Sequence, residues 1–138
     1  MEIKIISQLL LATFLGALIG LEREYKRKGA GLQTYSLVAL GACLLSVISF
    51  ELAESEIGFN PSGVIQAVAI GIGFIGAGVI FRQPSGILGL TTAAGLWTTA
   101  AIGIAVGTGL YFLGIFATFL ALLVLSGFGL LEEKIFKK

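Results

Sequence analysis

Glu22-Arg23-Glu24, Gln66 and Arg82 are the polar side chains that could do chemistry in this sequence, and the residues around them limit what kind. The sequence has no histidine and no aspartate. That excludes Ser-His-Asp and Cys-His nucleophilic sites and histidine-based metal clusters. The glutamates fall at helix ends or in connections rather than as a pair at mid-membrane depth. No acid–base pair is therefore placed near an identifiable cleft, and the lack of aspartate and histidine weakens a magnesium-transport reading, since Mg²⁺ is usually held through carboxylates. Cys43 is the single cysteine, so no intrachain disulfide is possible, and it reads as a small core residue. No enzyme activity, cofactor or bound metal is expected. The chemistry left is ion pairing and hydrogen bonding at low dielectric. Glu22–Lys26 and Glu24–Lys28 are acid-before-base pairs at i,i+4, so the first helix is expected to continue past the membrane through them. Glu22 or Glu24 is further expected to fold back onto Arg82 and close the cytoplasmic face, where otherwise Arg82 snorkels to the interface. Gln8 and Gln66 are each expected to bond a neighbouring helix, and Thr91 and Thr92 to cap the fourth.

The elements that must position these groups are membrane helices. The chain is 57% hydrophobic and 12% charged, with a mean hydropathy of +1.01, where soluble domains carry about 25% charged residues. Five nearly charge-free runs, Ile5–Leu21, Tyr35–Phe50, Val64–Phe81, Gly89–Val106 and Leu110–Leu131, each approach the roughly 17–25 residues that cross a bilayer. Gly107-Thr108-Gly109 separates the last two. The first run has no basic n-region and no small-residue cleavage site, so it is expected to remain as a helix. The expected fold is an all-α bundle of five transmembrane helices in one domain, residues 1–138. Arg23, Lys26, Arg27, Lys28, Arg82, Lys134, Lys137 and Lys138 fall on one side and only Lys4 on the other. The positive-inside rule then puts the N-terminus outside and the C-terminus in the cytoplasm. A net charge of +1 gives no reason to expect nucleic acid.

Each glycine costs a soluble helix about 1 kcal/mol relative to alanine. In a bilayer small residues repay that cost by letting backbones approach. Gly16-x-x-x-Gly20 has the small-x-x-x-small spacing. Gly71 and Gly78 share one face of the third helix, while Gly73 and Gly76 lie roughly opposite, so that helix is expected to be gripped from both sides at the bundle centre. Gly95, Gly103 and Gly107 supply small faces on the fourth. The alternative is that some of these glycines bare backbone toward a water-filled cavity.

GALIGLERE (Gly16–Glu24), AGLQTYSLVALGA (Ala30–Ala42), GIGFIGAGVIFR (Gly71–Arg82) and GLTTAAGLWTTAAIGIAVG (Gly89–Gly107) stand in an order and spacing that resembles the transmembrane domain of the MgtC/SapB family. The resemblance covers roughly Gly16 to Tyr111. The candidate functional residues are Glu22, Arg23, Glu24, Gln66, Arg82, Thr91, Thr92 and Trp97. This sequence departs from the family pattern at Gln33, where relatives often have a basic residue, and at Tyr35, where they often have a histidine-like one. It departs again at Asn60, often an acid, and at Thr91, in some relatives Asn. Many relatives also carry a cytoplasmic C-terminal domain, and the chain reads as a short member without it. The resemblance implies a multi-pass protein of the bacterial inner membrane, associated with adaptation to magnesium limitation and restraint of the F-type ATP synthase. Two functions fit. One is a non-enzymatic regulator that contacts another membrane protein through its small-residue faces. The other is a small channel or transporter lined by Gln66 and the threonines of helix four. Both are compatible with a two-fold homodimer.

Overall fold

The computed structural model describes residues 2–84 and 86–136; Lys137 and Lys138, which entered the charge count above, lie outside them. Most of it is helical: α1 (Glu2–Tyr25), α2 (Leu32–Ser55), α3 (Ser62–Gly78), α4 (Leu90–Gly107), α5 (Tyr111–Leu122) and α6 (Gly129–Phe136). A π-helical turn, Leu123–Phe128, joins α5 to α6 without a break in helical backbone, so five rods make up the bundle. A short hairpin that the sequence reading missed links α3 to α4. Its strands are β1 (Phe81–Gln83) and β2 (Gly86–Leu88), paired antiparallel with Arg82 opposite Ile87. Four rods are long and apolar enough to cross a membrane, and α3, at 17 residues, is shorter.

One helical stripe on each of three helices makes the core. On α1 it is Gln8, Ala12, Leu15, Gly16, Ile19, Gly20 and Arg23, recurring at three- and four-residue steps. It meets Tyr35, Ala39, Cys43 and Val47 of α2 and Leu96, Ile102 and Val106 of α4. Glycines set how close these helices come. A Cβ on Gly16 would lie 2.6 Å from the Tyr35 carbonyl oxygen, and one on Gly20 2.7 Å from Leu32 Cα. From the other side, a Cβ on Gly107 would lie 2.6 Å from the Cys43 carbonyl oxygen, and one on Gly103 would strike that of Ala39. The helix gripped on both sides is therefore α2, held between α1 and α4.

This corrects the expectation for helix three. Cβ atoms on Gly71, Gly73 and Gly78 would meet nothing within 4 Å, and only Gly76 approaches a neighbour, Ala93 of α4, at 3.6 Å. Within the chain α3 packs chiefly on α4 and touches α2 around Ile72, which is buried with Ala42 of α2 and Ala100 of α4. The hub is α4, which packs against α1, α2, α3 and α5. Its start is set by Gly89, at φ +91°, where a side chain would run into the Val79 carbonyl.

Candidate functional site

The charged end of α1 is drawn into the bundle. Arg23 continues the core stripe, and its side chain is 3% exposed. Its Nη2 donates to Thr92 Oγ1 at 3.2 Å, and its Nη1 lies 3.7 Å from Glu22 Oε2. Tyr35, fully buried on α2, donates from its hydroxyl to the Thr92 carbonyl at 3.2 Å. Gly95 makes room for that ring, since a Cβ there would lie 2.6 Å from the Tyr35 hydroxyl. Glu22, 11% exposed, accepts from Lys26 Nζ at 2.7 Å and from Ser126 Oγ at 3.2 Å. Lys26 Nζ also donates to the Leu125 carbonyl at 2.8 Å. That carbonyl belongs to the π turn, whose extra residue shifts the helical pairing there. One polar cluster thus ties α1, α2, α4 and the α5 rod together at one end of the molecule. Two of its buried atoms, Glu22 Oε2 and Arg23 Nε, have no hydrogen-bond partner among the described residues.

The helix end behind this cluster differs from the expected extension. Arg27 N–H bonds the Glu24 carbonyl at 2.9 Å and Lys28 N–H the Arg23 carbonyl at 3.0 Å, with Arg27 at φ +51°. This is a Schellman ending, here with arginine in the left-handed position glycine usually takes. The Glu22–Lys26 pair forms, whereas Glu24 turns to accept the Leu32 N–H at 3.2 Å. Arg82 sits exposed on β1 and makes no ion pair among the described residues, so the expected closure onto Glu22 or Glu24 does not occur. The arginine that closes this end is Arg23.

Other candidates separate as follows. Thr92 does not cap α4; Gly89 is the N-cap with no side-chain bond, and Thr92 serves Arg23 and Tyr35 instead. Thr91 lines a groove of about 370 Å³ between α4 and the α5 rod, together with Gly95 and Thr98. Trp97 points outward, 54% exposed. Gln66 is exposed on α3 and has no hydrogen bond among the described residues. At the opposite end Gln8 is buried and donates to the Val106 and Gly107 carbonyls, both at 3.0 Å, closing the C-terminus of α4. Lys4, Gln8, Glu51, Glu54 and Thr108 line a pocket of about 320 Å³ there. Among the described residues no three His, Cys, Asp or Glu side chains gather as a metal site. Sequence reasoning missed Tyr35, Ser126 and the π turn. The only hint was that Tyr35 stands where the family resemblance leads one to expect a histidine-like residue.

The profile of the MgtC family matches residues 9–134. YhiD of Escherichia coli (strain K12), whose name describes a proposed magnesium transporter, is 41% identical over 143 residues, covering all of this chain and 66% of that protein. SrpB of Synechococcus elongatus is 43% identical over 138 residues, 91% of this chain and 75% of that one. MgtC of Brucella abortus (strain 2308) is 43% identical over 99 residues, 72% of this chain and 40% of that one. The chain thus spans slightly under two thirds of YhiD and two fifths of that MgtC. No solved structure matches.

Proposed function

The chain belongs to the MgtC family of membrane proteins, and from that premise we propose that it is a non-enzymatic regulator acting through helix–helix contacts with another protein of the bacterial inner membrane. In this reading the rods form five spans, N-terminus outside and C-terminus cytoplasmic, with the Arg23 cluster at the cytoplasmic end. Magnesium limitation is the condition under which it acts. The observation that carries the reading is the open outer face of α3. Gln66, Ile70, Gly73 and Ala77 recur there at helical spacing, and a side chain on Gly73 would meet nothing in the chain. A glycine with no packing duty inside its own bundle, beside an unpaired glutamine, suits a partner helix that approaches closely and bonds the amide. By contrast, the axis between the Gln8 and Arg23 ends is filled by Ala12, Leu15, Ile19, Leu96 and Val106, none more than 4% exposed.

The test is capture of cross-linked partners from native membranes with Gly73→Leu. The expected result is loss of the partner with helical content and Tm unchanged. Gly76→Leu is the contrasting variant, because it disturbs the contact with Ala93. Undiminished capture by Gly73→Leu would overturn the reading. The name YhiD carries favours a second reading, a homo-oligomeric transporter. Mg²⁺ flux into liposomes that falls on Gln66→Ala would establish it in place of the first.

A further inference from the structure

Between α2 and α3 the bundle is open along a cavity of about 710 Å³ walled by Leu37, Gly41 and Leu45 on one side and Ala67, Gly71 and Ile75 on the other. Its polar lining is confined to one end, where Gln33 and Thr34 also line a second cavity of about 400 Å³, bounded by Glu24, Gly31 and Leu32. Gln33 and Thr34 thus border both parts of this trough, one apolar along the helices and one polar at its head. We propose that this trough holds one acyl chain and the headgroup of a zwitterionic, amine-bearing phospholipid of the phosphatidylethanolamine type.

Length and charge both favour that occupant. From Gln33 to Leu45 the trough follows α2 for about 18 Å. Half of a bilayer's hydrocarbon is about 15 Å thick, so the apolar part fits the chain of a lipid from a single leaflet. Water is disfavoured because it needs two to four polar partners, which the walls between Leu37 and Ile75 do not offer. An empty cleft would forfeit dispersion contacts along both helices. At the head, Glu24 supplies a carboxylate, held over the pocket by its bond to the Leu32 N–H. Gln33 and Thr34 lie in the first turn of α2, where N–H groups lack i−4 carbonyls and favour phosphate oxygens. The paired signs match an ammonium beside a phosphate. A phosphatidylglycerol headgroup has the phosphate but brings no cation to Glu24.

The experiment reconstitutes the full chain in vesicles of equal phosphatidylethanolamine and phosphatidylglycerol, extracts it in mild detergent and identifies retained lipid by native mass spectrometry. The expected result is one phosphatidylethanolamine per chain, preferred about threefold over phosphatidylglycerol, as one partly exposed ion pair allows. Glu24→Gln should remove the preference while a lipid is still retained. Gly71→Leu on α3 and Gly41→Leu on α2 should each abolish retention. A Cβ at either glycine meets nothing within 4 Å, so unchanged circular dichroism shows that the fold survives. Gly73→Leu, on the other face of α3, should leave retention untouched, which separates this inference from the regulator reading. No retained lipid in the unaltered protein, retention that survives both cleft-filling variants, or equal binding of the two lipids would each overturn it. So would a dimer that Gly71→Leu dissociates, since a second copy would then be the occupant.

Discussion

Neutralising Glu22 should cost more stability than any other single charge change in this protein, and removing Arg23 as well should restore part of the loss. Glu22 is the counter-charge for two cations, Lys26 at 2.7 Å and Arg23 at 3.7 Å, and Arg23 is 3% exposed. Unit charges 4 Å apart attract by about 4 kcal/mol at an effective dielectric of 20. Taking one partner from a buried pair costs about 3–5 kcal/mol, because the remaining charge stays desolvated. Lys26 is 30% exposed and can turn to water, so the lower end applies and Glu22→Gln should cost about 3 kcal/mol. Arg23→Met keeps the Glu22–Lys26 pair and loses the donor to Thr92, a cost of about 1–2 kcal/mol. In the double variant no unpaired buried arginine remains. Its total should be about 2 kcal/mol rather than the sum, a coupling of about 2 kcal/mol. The assay is reversible SDS unfolding in mixed micelles, followed by the fluorescence of Trp97, the only tryptophan. Arg82→Gln is the control. It lies exposed on the hairpin, so with Glu22→Gln it should add within about 0.5 kcal/mol. Additive losses for Glu22 and Arg23, or coupling of Glu22 to Arg82, would refute the assignment of the buried arginine.

Alanine at Gly16 or Gly107 should destabilise by about 1–3 kcal/mol, since its Cβ would press on a backbone carbonyl of α2 at 2.6 Å. Alanine at Gly71 or Gly78 should be neutral or stabilise by up to about 1 kcal/mol in the same unfolding assay, because it gains helix propensity and meets no neighbour. Gln8→Leu should lose both bonds to the end of α4 and cost about 1–3 kcal/mol. Hydrogen exchange should then quicken at Thr108, Gly109 and Leu110, whose N–H groups close that helix end. Tyr35→Phe should cost about 1 kcal/mol through loss of the bond to the Thr92 carbonyl, with the packing of the ring retained.

Hydropathy alone determined that the molecule is a bundle of apolar rods, because the length of a charge-free run is a one-dimensional property set against a fixed bilayer thickness. The break at Gly107-Thr108-Gly109 was legible for a similar reason: Gly109 takes φ +83°, a local backbone demand that glycine meets without strain. Gly16-x-x-x-Gly20 and the Glu22–Lys26 pair were legible too, since both depend on spacing within one helix. Which helix each glycine meets was not. Gly71 to Gly78 looks like the most closely packed stretch in the chain, yet the carbonyls that leave no room for a Cβ face Gly16, Gly103 and Gly107. Periodicity places a residue on a face; it does not say what that face touches. Arg23 shows the same limit most clearly. Sequence gave it a place among cytoplasmic charges, but it falls in register with Gln8, Ala12, Leu15 and Ile19 and is carried inward with them. Only the packing of α1 against α2, α4 and the α5 rod brings Tyr35, Thr92 and Ser126 together with Glu22 and Arg23 from positions up to 104 residues from Glu22, and that convergence made the site.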